Sequence, residues 1–176
     1  MKEKTRPVRA TAVKNYPAHI FPQDLNPQDK MFGGMLVATM DKLAGTLFFN
    51  HTDGQSYGTK CIDGIPFDVT VYKGDLLLLD ASINRTWNTS CEIGVRASVK
   101  RKRTGKIQHL SSTYFTFVAT EELDEIDPES GHPKIVAAPM RYGVSPETKD
   151  EIQRYMEANV RRKERLQERL QKTKAA

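Results

Sequence analysis

The chain has 176 residues, of which 38% are apolar and 28% are charged, and its formal net charge is +5 at pH 7. This length suits one domain, and the apolar share suffices for a hydrophobic core, which excludes a disordered chain. We expect a cytoplasmic protein, because no apolar run is long enough to span a bilayer and none follows Met1 as a secretory signal. The positive charge favours anionic partners without choosing among them.

Three parts are predicted along the chain from their composition. Residues 1–15 are basic and polar and indicate a loose arm, residues 16–140 form the domain, and residues 141–176 hold an amphipathic helix. Residues 120–144 carry an acidic run followed by glycine and prolines, which is typical of a surface loop.

One helix and an antiparallel meander are predicted for the domain. The helix covers residues 33–50, and its apolar residues surround most of its circumference, so we expect burial on nearly all sides. Strands are predicted, in order, over residues 11–20, 55–63, 67–72, 76–86, 91–103 and 106–119. A long helix wrapped by one curved antiparallel sheet is an α+β architecture, and a second copy is expected to help cover the helix.

Asp41 stands in the middle of this apolar helix. A buried carboxylate is costly unless it is paired or hydrogen-bonded, and the adjacent Lys42 points elsewhere on a helix. Asp41 is therefore either a residue of a solvent-facing strip, or one bonded by a neighbouring loop, or a catalytic base or nucleophile in a cleft.

Two further elements precede Asp41 along the chain. Gly33 and Gly34 open the helix, where free N–H groups and the helix dipole suit a developing oxyanion, although an ordinary helix start would look the same. Asn26, before Pro27, is either a plain turn residue or an amide that donates to a carbonyl or orients a water.

The spacing of Gly34 and Asp41 predicts a site shared between two subunits. Seven residues are close to two helical turns, so both lie on one face with their Cα atoms roughly 10 Å apart. That distance is too long for the Gly34 N–H to polarise a substrate carbonyl while Asp41 of the same helix attacks it. Two helices packed antiparallel about a twofold axis would set Asp41 of one beside Gly34 of the other.

The order of motifs over residues 15–140 resembles the hotdog-fold acyl-CoA thioesterases of the acyl-CoA hydrolase family. The motifs that carry the resemblance are Asp24-x-Asn26, Phe32-Gly33-Gly34, Met40-Asp41, Ala44-Gly45, Ile62-Asp63-Gly64-Ile65-x-Phe67, Val71-x-x-Gly74-Asp75, Thr89-Ser90, Glu92-Ile93-Gly94-Val95, Tyr114-Phe115-Thr116-Phe117-Val118-Ala119, Gly131-His132-Pro133-Lys134 and Pro139.

The resemblance implies a hotdog fold, a homodimer that assembles further into a trimer of dimers, and hydrolysis of fatty acyl-CoA to free acid and CoA. It gives Asp41 the position of the catalytic carboxylate, Asn26 that of the catalytic asparagine from the partner subunit, and Gly34 that of the carbonyl-polarising N–H. No metal and no cofactor are expected, since CoA is part of the substrate.

A basic run near residue 100 is a candidate site for the phosphates of CoA, which pair well with Arg and Lys. The alternative is a solvated hairpin tip, and nucleic-acid binding is not favoured because no recognition helix accompanies the run. The residues expected to contact substrate are Gly33, Thr89, Ser90, Lys100, Arg101 and Arg103.

The C-terminal helix is predicted to begin with Ser145 as N-cap and Pro146 in the first turn. An apolar stripe follows at helical spacing: Ile152, Tyr155, Met156, Val160, Leu166 and Leu170. The stripe is expected to pack on its own domain or on a neighbouring subunit, with the arginine-rich side in solvent. A role at a membrane surface or on an acidic partner is the alternative.

An acyl-CoA thioesterase is thus the function that the sequence favours. A hotdog module that binds or senses acyl-CoA without catalysis is the alternative, but such a module needs neither Asn26 nor Asp41. A hotdog dehydratase is disfavoured because none of the four histidines falls on the body of the predicted helix. The acyl length, and the choice between Asp41 as nucleophile or as general base, stay open.

Overall fold

The computed structural model describes residues 4–175 as eight strands and two α-helices. Before the first helix come β1 (Thr5–Pro7) and β2 (Val13–His19), and the helix α1 covers Gly33–His51. The strands β3 (Tyr57–Ile62), β4 (Leu76–Thr86), β5 (Ser90–Lys100), β6 (Ile107–Ile126), β7 (Pro133–Ala137) and β8 (Gly143–Ser145) follow, and α2 (Lys149–Ala175) ends the chain.

The main sheet is antiparallel, with the order β2-β4-β5-β6-β3 and with β7 paired to β6. β1 and β8 form a separate two-stranded parallel sheet. The α+β class is thereby confirmed, with α1 lying against β4, β5 and β6. Strict alternation in the long strands produces this layer, because every second side chain points to the helix.

The core lies between α1 and the three long strands. The helix buries one face, and each strand buries alternate residues. The largest fully buried apolar side chains are Phe48, Phe115, Phe117, Met40, Leu77, Leu79, Ile83 and Ile93.

The expectation that α1 is buried on nearly all sides is wrong for a single chain. Lys42, Thr46 and Phe49 on its outer flank are exposed, next to the edge strand β3, whose residues are almost all exposed. The large apolar residues exposed on or beside α1 and β3 are Phe32, Phe49, Tyr57, Ile62 and Phe67. The apolar content of α1 therefore exceeds what one sheet can cover.

Two predictions for the connecting segments are wrong. Residues 67–72 are not a strand: apart from one bridge between Lys30 and Tyr72, this segment is irregular and covers the start of α1. The acidic residues after 120 are not a loop, because β6 continues to Ile126 and pairs with β7 in a hairpin. Backbone pairing there outweighs the polar composition, since side chains of a two-stranded ribbon can face water on both sides.

The prediction of a loose N-terminal arm is wrong for Thr5–Ala10. Residues 1–3 of the predicted arm lie outside the described part of the chain. Thr5–Pro7 pairs with β8, and Val8 is buried in the core cluster. Arg6 donates to both carboxylate oxygens of Asp53 and to the carbonyl of His51. Arg6 thus binds the end of α1, whereas Arg9 pairs with Glu147 before α2.

The helix α2 begins later than predicted, at Lys149, because Ser145 belongs to β8. The Thr148 hydroxyl accepts from the Glu151 N–H, and the Glu151 carboxylate accepts from the N–H groups of Glu147 and Thr148. This reciprocal arrangement is a capping box, and the Glu147 amide is the main cause of the lowered pKa of Glu151.

The arginine-rich side of α2 faces the sheet, which reverses the predicted orientation of this helix. Glu92 on the outer face of β5 is fully buried and accepts from Arg161 and Arg165. Arg165 also donates to both carboxylate oxygens of Asp63, at 2.8 and 3.0 Å. Of the apolar stripe that was expected to pack on the domain, only Tyr155 does so, and the buried apolar residue of α2 is instead Ala158.

We expect Arg161→Met to lower the free energy of unfolding by about 2–4 kcal/mol, because it removes one of two cations from a carboxylate that stays buried. Urea unfolding at fixed protein concentration measures this loss. The control is Lys163→Met, which changes the same charge at an exposed position two residues away and should cost within about 0.5 kcal/mol. Equal effects of the two variants would contradict the role assigned to Glu92.

Candidate active site

Asn26 is fixed by its own loop in an orientation that leaves its amide group free. Its side-chain oxygen accepts from the N–H groups of Gln28 and Lys30, at 2.9 and 3.1 Å. Among the residues that the structure describes, the Asn26 NH₂ group has no acceptor. The turn interpretation is therefore confirmed, and because the same Asx turn leaves the NH₂ group without a partner, the donor interpretation stays a prediction.

The first turn of α1 offers two more donors. Met35 and Leu36 donate to the Phe32 carbonyl, whereas the N–H groups of Gly33 and Gly34 have no protein acceptor within residues 4–175. A Cβ on Gly34 would meet nothing within 4 Å, while one on Gly33 would lie 3.1 Å from the Phe67 ring. Gly34 thus combines an open Cβ side with an unpaired N–H at the positive end of the helix dipole.

Asp41 is half-buried on the flank of α1 next to β3. The Thr59 hydroxyl on β3 donates to Asp41 Oδ1 at 3.1 Å, which is the only hydrogen bond of that carboxylate among the described residues. Sequence reasoning missed Thr59, since no local pattern links a strand residue to the preceding helix. Gly45 permits this close approach of β3, because a Cβ there would overlap the Tyr57 hydroxyl.

The two cysteines do not supply a competing nucleophile. Burial raises the pKa of the half-buried Cys61 thiol, and the neighbouring Asp63 raises it further. Burial also raises the pKa of Cys91, which lies in the core. A thiol needs its thiolate form to attack, so both groups are poorly suited to that role.

Within one chain the predicted catalytic residues fall into two groups. Phe32 donates to the Asp24 carbonyl at 2.9 Å, which ties the Asn26 loop to the start of α1 and to Gly34. Asp41 and Thr59 form the second group, two helical turns further on and roughly 10 Å away along the axis. A reacting carbonyl needs its attacking atom within ~3–3.5 Å, so this separation favours a site to which two copies of the chain contribute.

A basic cavity of about 770 Å³ adjoins the Asn26 loop. It is lined by Tyr72, Lys73, Asp75, Arg101, Lys102, Arg103 and Thr104. Lys73 donates its N–H to the Asp29 carbonyl, and Tyr72 pairs with Lys30, so the cavity and the Asn26 loop share backbone contacts.

Arg101 has a structural task in this cavity. Its guanidinium donates to Asp75 at 2.7 Å and to the Thr70 carbonyl at 2.8 Å. Burial opposes ionisation of Asp75, but hydrogen bonds from the Lys102 amide, Arg101 and the Tyr72 amide outweigh it and lower its pKa. Lys102 and Arg103, which belong to the basic run predicted near residue 100, have no carboxylate partner in the described part of the chain.

The remaining predicted substrate residues lie apart from the basic cavity. Ser90 and Lys100 are the two ends of β5, and ten residues of strand separate them by roughly 33 Å. The Ser90 hydroxyl accepts from Arg162 of α2, and the Thr89 carbonyl accepts from Ala119. The structure therefore does not bring Thr89 and Ser90 together with the basic run within one chain.

Within residues 4–175, no cluster of His, Cys, Asp and Glu side chains is arranged to hold a metal ion. No helix in this range combines the length and the apolar character that crossing a membrane requires.

Comparison with known proteins places these features in a family. Residues 29–106 match the model of the thioesterase superfamily. The protein VdlD of Helicobacter pylori strain 26695 is 35% identical over 146 residues, which cover 82% of the chain and 75% of VdlD.

Solved structures resemble the chain over nearly its whole length. An acyl-CoA hydrolase from Staphylococcus aureus, solved with butyryl coenzyme A and coenzyme A, has a TM-score of 0.74 and 26% identity, covering 97% of this chain and 96% of its own. Variants of that hydrolase, with an asparagine, an aspartate or a threonine replaced by alanine, have TM-scores of 0.77, 0.74 and 0.74.

An apo-hexameric acyl-CoA thioesterase has a TM-score of 0.75 and 27% identity, and the match covers 94% of this chain and 97% of the relative. The chain belongs to the thioesterase superfamily, and its structural neighbours are the hotdog-fold acyl-CoA hydrolases.

Proposed function

We propose that the protein hydrolyses the thioester bond of acyl-CoA to a free carboxylic acid and CoA at a site shared between two subunits. Asn26 and Gly34 of one subunit polarise the carbonyl, and Asp41 of the other subunit, held by Thr59, serves as the nucleophile or as the general base. The observation that carries the proposal is the Asp41 carboxylate fixed on an exposed flank of α1, two turns from the unpaired Gly34 N–H.

Each group has a defined chemical task. The Gly34 N–H and the Asn26 amide donate to the thioester oxygen as it gains negative charge. Asp41 either attacks the carbonyl carbon, forming an anhydride and expelling the CoA thiolate before water cleaves the anhydride, or accepts the proton of an attacking water and returns it to the departing sulfur. Both routes use the same residues and yield the same products.

The subunit arrangement rests on the open edge of the sheet. β3 is an edge strand with no partner on its outer side among the described residues, and such an edge invites pairing with another strand. A second β3 added antiparallel would extend the sheet, cover the exposed aromatic residues beside α1 and set the two α1 helices antiparallel. Each Asp41 would then lie beside Gly34 of the other subunit.

The basic cavity beside the Asn26 loop is the proposed site for the CoA phosphates. Lys102 and Arg103 supply unpaired cations there, and Arg101 holds the cavity in shape through Asp75. The roles proposed for Thr89 and Ser90 are weaker, because Ser90 is buried under α2.

The relatives support this assignment. In the Staphylococcus aureus hydrolase, the replaced asparagine and aspartate are separated by the same interval as Asn26 and Asp41. The hexameric relative supports a trimer of dimers for this chain.

A thiol-release assay across saturated acyl-CoAs from acetyl to palmitoyl tests the proposed activity. We expect turnover of at least one of them. The alternative, a module that binds acyl-CoA without cleaving it, would bind these compounds and release no thiol. That result would overturn the enzymatic assignment.

Thr59→Val should lower kcat about 10–100-fold with little change in KM, because it removes a hydrogen bond to a charged group, worth about 1.5–3 kcal/mol, and keeps the shape of the side chain. Thr59→Ser restores the hydroxyl and should stay near wild type. Steady-state kinetics on both variants measure the difference. If serine and valine are equally impaired, the hydroxyl is not what positions Asp41.

A further inference from the structure

Tyr57 on β3 lies over the flank of α1 that carries Asp41. A Cβ on Gly45 would overlap the Tyr57 hydroxyl, so this hydroxyl occupies the space that a side chain at residue 45 would otherwise fill. Gly45 follows Asp41 by four residues, which is about one helical turn, so the two lie on the same flank of α1. The Tyr57 hydroxyl therefore lies on that flank, roughly 6 Å beyond Asp41 toward the C-terminal end of the helix.

The strand gives the same placement independently of the helix. Tyr57 and Thr59 are two residues apart on β3, so their side chains point to the same face of the sheet. Thr59 donates to Asp41, while Tyr57 reaches α1 at Gly45. Two residues of strand span roughly 7 Å, which agrees with the rise of one helical turn.

The Tyr57 ring is held firmly in this position. Its centroid lies 4.9 Å from that of Phe48 and 5.1 Å from that of Phe117, and both of these rings are fully buried. Tyr57 itself is 38% exposed in the single chain. Because two core rings support it, Tyr57 forms a fixed boundary beside Asp41 and cannot swing aside without disturbing the core.

The rest of this flank is lined by small residues. Gly34, Ala38 and Gly45 lie with Asp41 within about 60° of one another around α1. In the proposed dimer, Gly34 of one helix lies beside Asp41 of the other, so the two helices meet midway between these residues, at Ala38. That contact fills the flank on the N-terminal side of Asp41. The space for an acyl chain then lies on the other side, between Asp41 and the Tyr57 hydroxyl.

We infer that Tyr57 limits the length of the acyl chain, so that the substrates are short-chain acyl-CoAs such as acetyl-CoA and butyryl-CoA. This inference rests on the shared thioesterase site proposed above. An extended chain grows by roughly 1.3 Å per methylene, given a C–C bond of ~1.5 Å. A butyryl group therefore reaches roughly 4 Å past its carbonyl carbon and fits in front of the hydroxyl, whereas an octanoyl group reaches roughly 9 Å and would overlap it.

A thiol-release assay on acetyl-, butyryl-, hexanoyl-, octanoyl- and palmitoyl-CoA tests the inference. For wild type we expect kcat/KM to fall at least about 10-fold from butyryl-CoA to octanoyl-CoA, since even one methylene is discriminated by about 10–200-fold in an apolar pocket. Tyr57→Val removes the ring but keeps an apolar residue that suits a strand, and it should raise the ratio of octanoyl to butyryl kcat/KM about 10-fold or more. Tyr57→Phe removes the hydroxyl alone and should favour hexanoyl-CoA without admitting octanoyl-CoA.

Tyr16→Val is the matched control, because Tyr16 is a tyrosine of similar exposure on β2, the opposite edge strand of the sheet. It should keep the chain-length profile of wild type. Circular dichroism and size exclusion check that each variant is folded and keeps the wild-type assembly.

Wild type that cleaves octanoyl- and palmitoyl-CoA as well as butyryl-CoA would overturn the inference and leave the proposed function standing. An unchanged profile in folded Tyr57→Val and Tyr57→Phe proteins would overturn it too, as would an equal loss of activity on every chain length. Wild type that releases no thiol from any of the five compounds would overturn the proposed function, and the inference with it.

Discussion

Asp41→Asn is expected to abolish acyl-CoA hydrolysis while leaving substrate binding intact. The amide has the shape of the carboxylate and can still accept from Thr59, so the packing of α1 against β3 is preserved. It can neither attack a thioester as a carboxylate does nor take a proton from water. Loss of a general base costs about 10²–10⁴-fold, and loss of a nucleophile costs at least as much.

The measurement combines thiol release with calorimetric binding of a non-hydrolysable thioether analogue of acyl-CoA. We expect kcat to fall by about 10³-fold or more and the Kd of the analogue to stay within about threefold. Lys42→Gln is the matched control, since it changes the neighbouring exposed residue of the same helix and should retain wild-type turnover. Wild-type turnover in a folded Asp41→Asn protein would remove Asp41 from the mechanism.

The central helix and the long strands were predictable because their periodicity is set by burial. The predicted helix over residues 33–50 ends one residue before the observed His51, and the strand predicted over residues 76–86 coincides with β4. In both, apolar residues recur at the interval that the element requires, so the pattern and the fold agree.

Segments whose structure depends on distant partners were not predictable. Residues 67–72 have strand-like composition, yet they are held over α1 by contacts with Lys30, Met31 and Arg101. Residues 120–126 look like a loop, yet they pair with β7. In each case tertiary contacts outweigh local composition.

The predicted orientation of α2 was wrong for an electrostatic reason. Glu92 alternates with the core residue Ile93 and therefore lies on the outer face of the sheet. The arginines of α2 instead cover that face and neutralise Glu92. An ion pair between residues 69 positions apart leaves no periodic signal.

The residues of the candidate site were proposed from the sequence, and their division between two subunits stays a prediction. Asn26, Gly34 and Asp41 were marked by local features: a residue before proline, a glycine pair at a helix start and a carboxylate in an apolar helix. The division followed from the rise of an α-helix. Thr59 was not predictable, because its contact with Asp41 exists only after β3 has packed on α1.

Mixing two inactive variants is expected to restore activity. Asn26→Ala and Asp41→Ala each remove one half of every site, so neither homodimer hydrolyses acyl-CoA. In a mixed dimer one site receives Asn26 from one subunit and Asp41 from the other, while the second site loses both. With random exchange of equal amounts, half of the dimers are mixed, and about one quarter of the wild-type activity should return.

The opposite mixture is the control. A chain carrying both Asn26→Ala and Asp41→Ala, mixed with wild type, gives dimers in which each site lacks one residue. These mixed dimers should be inactive if the site is shared, and half-active if each chain has its own site. Native mass spectrometry of differently tagged chains confirms that exchange has occurred.

The mixing experiment therefore tests the shared site most directly. Recovery of about one quarter of wild-type thiol release from the two inactive single variants is the result that the cross-subunit geometry predicts. Complete exchange with no recovery would contradict it, because Asp41 would then have to act with the Asn26 and Gly34 of its own chain.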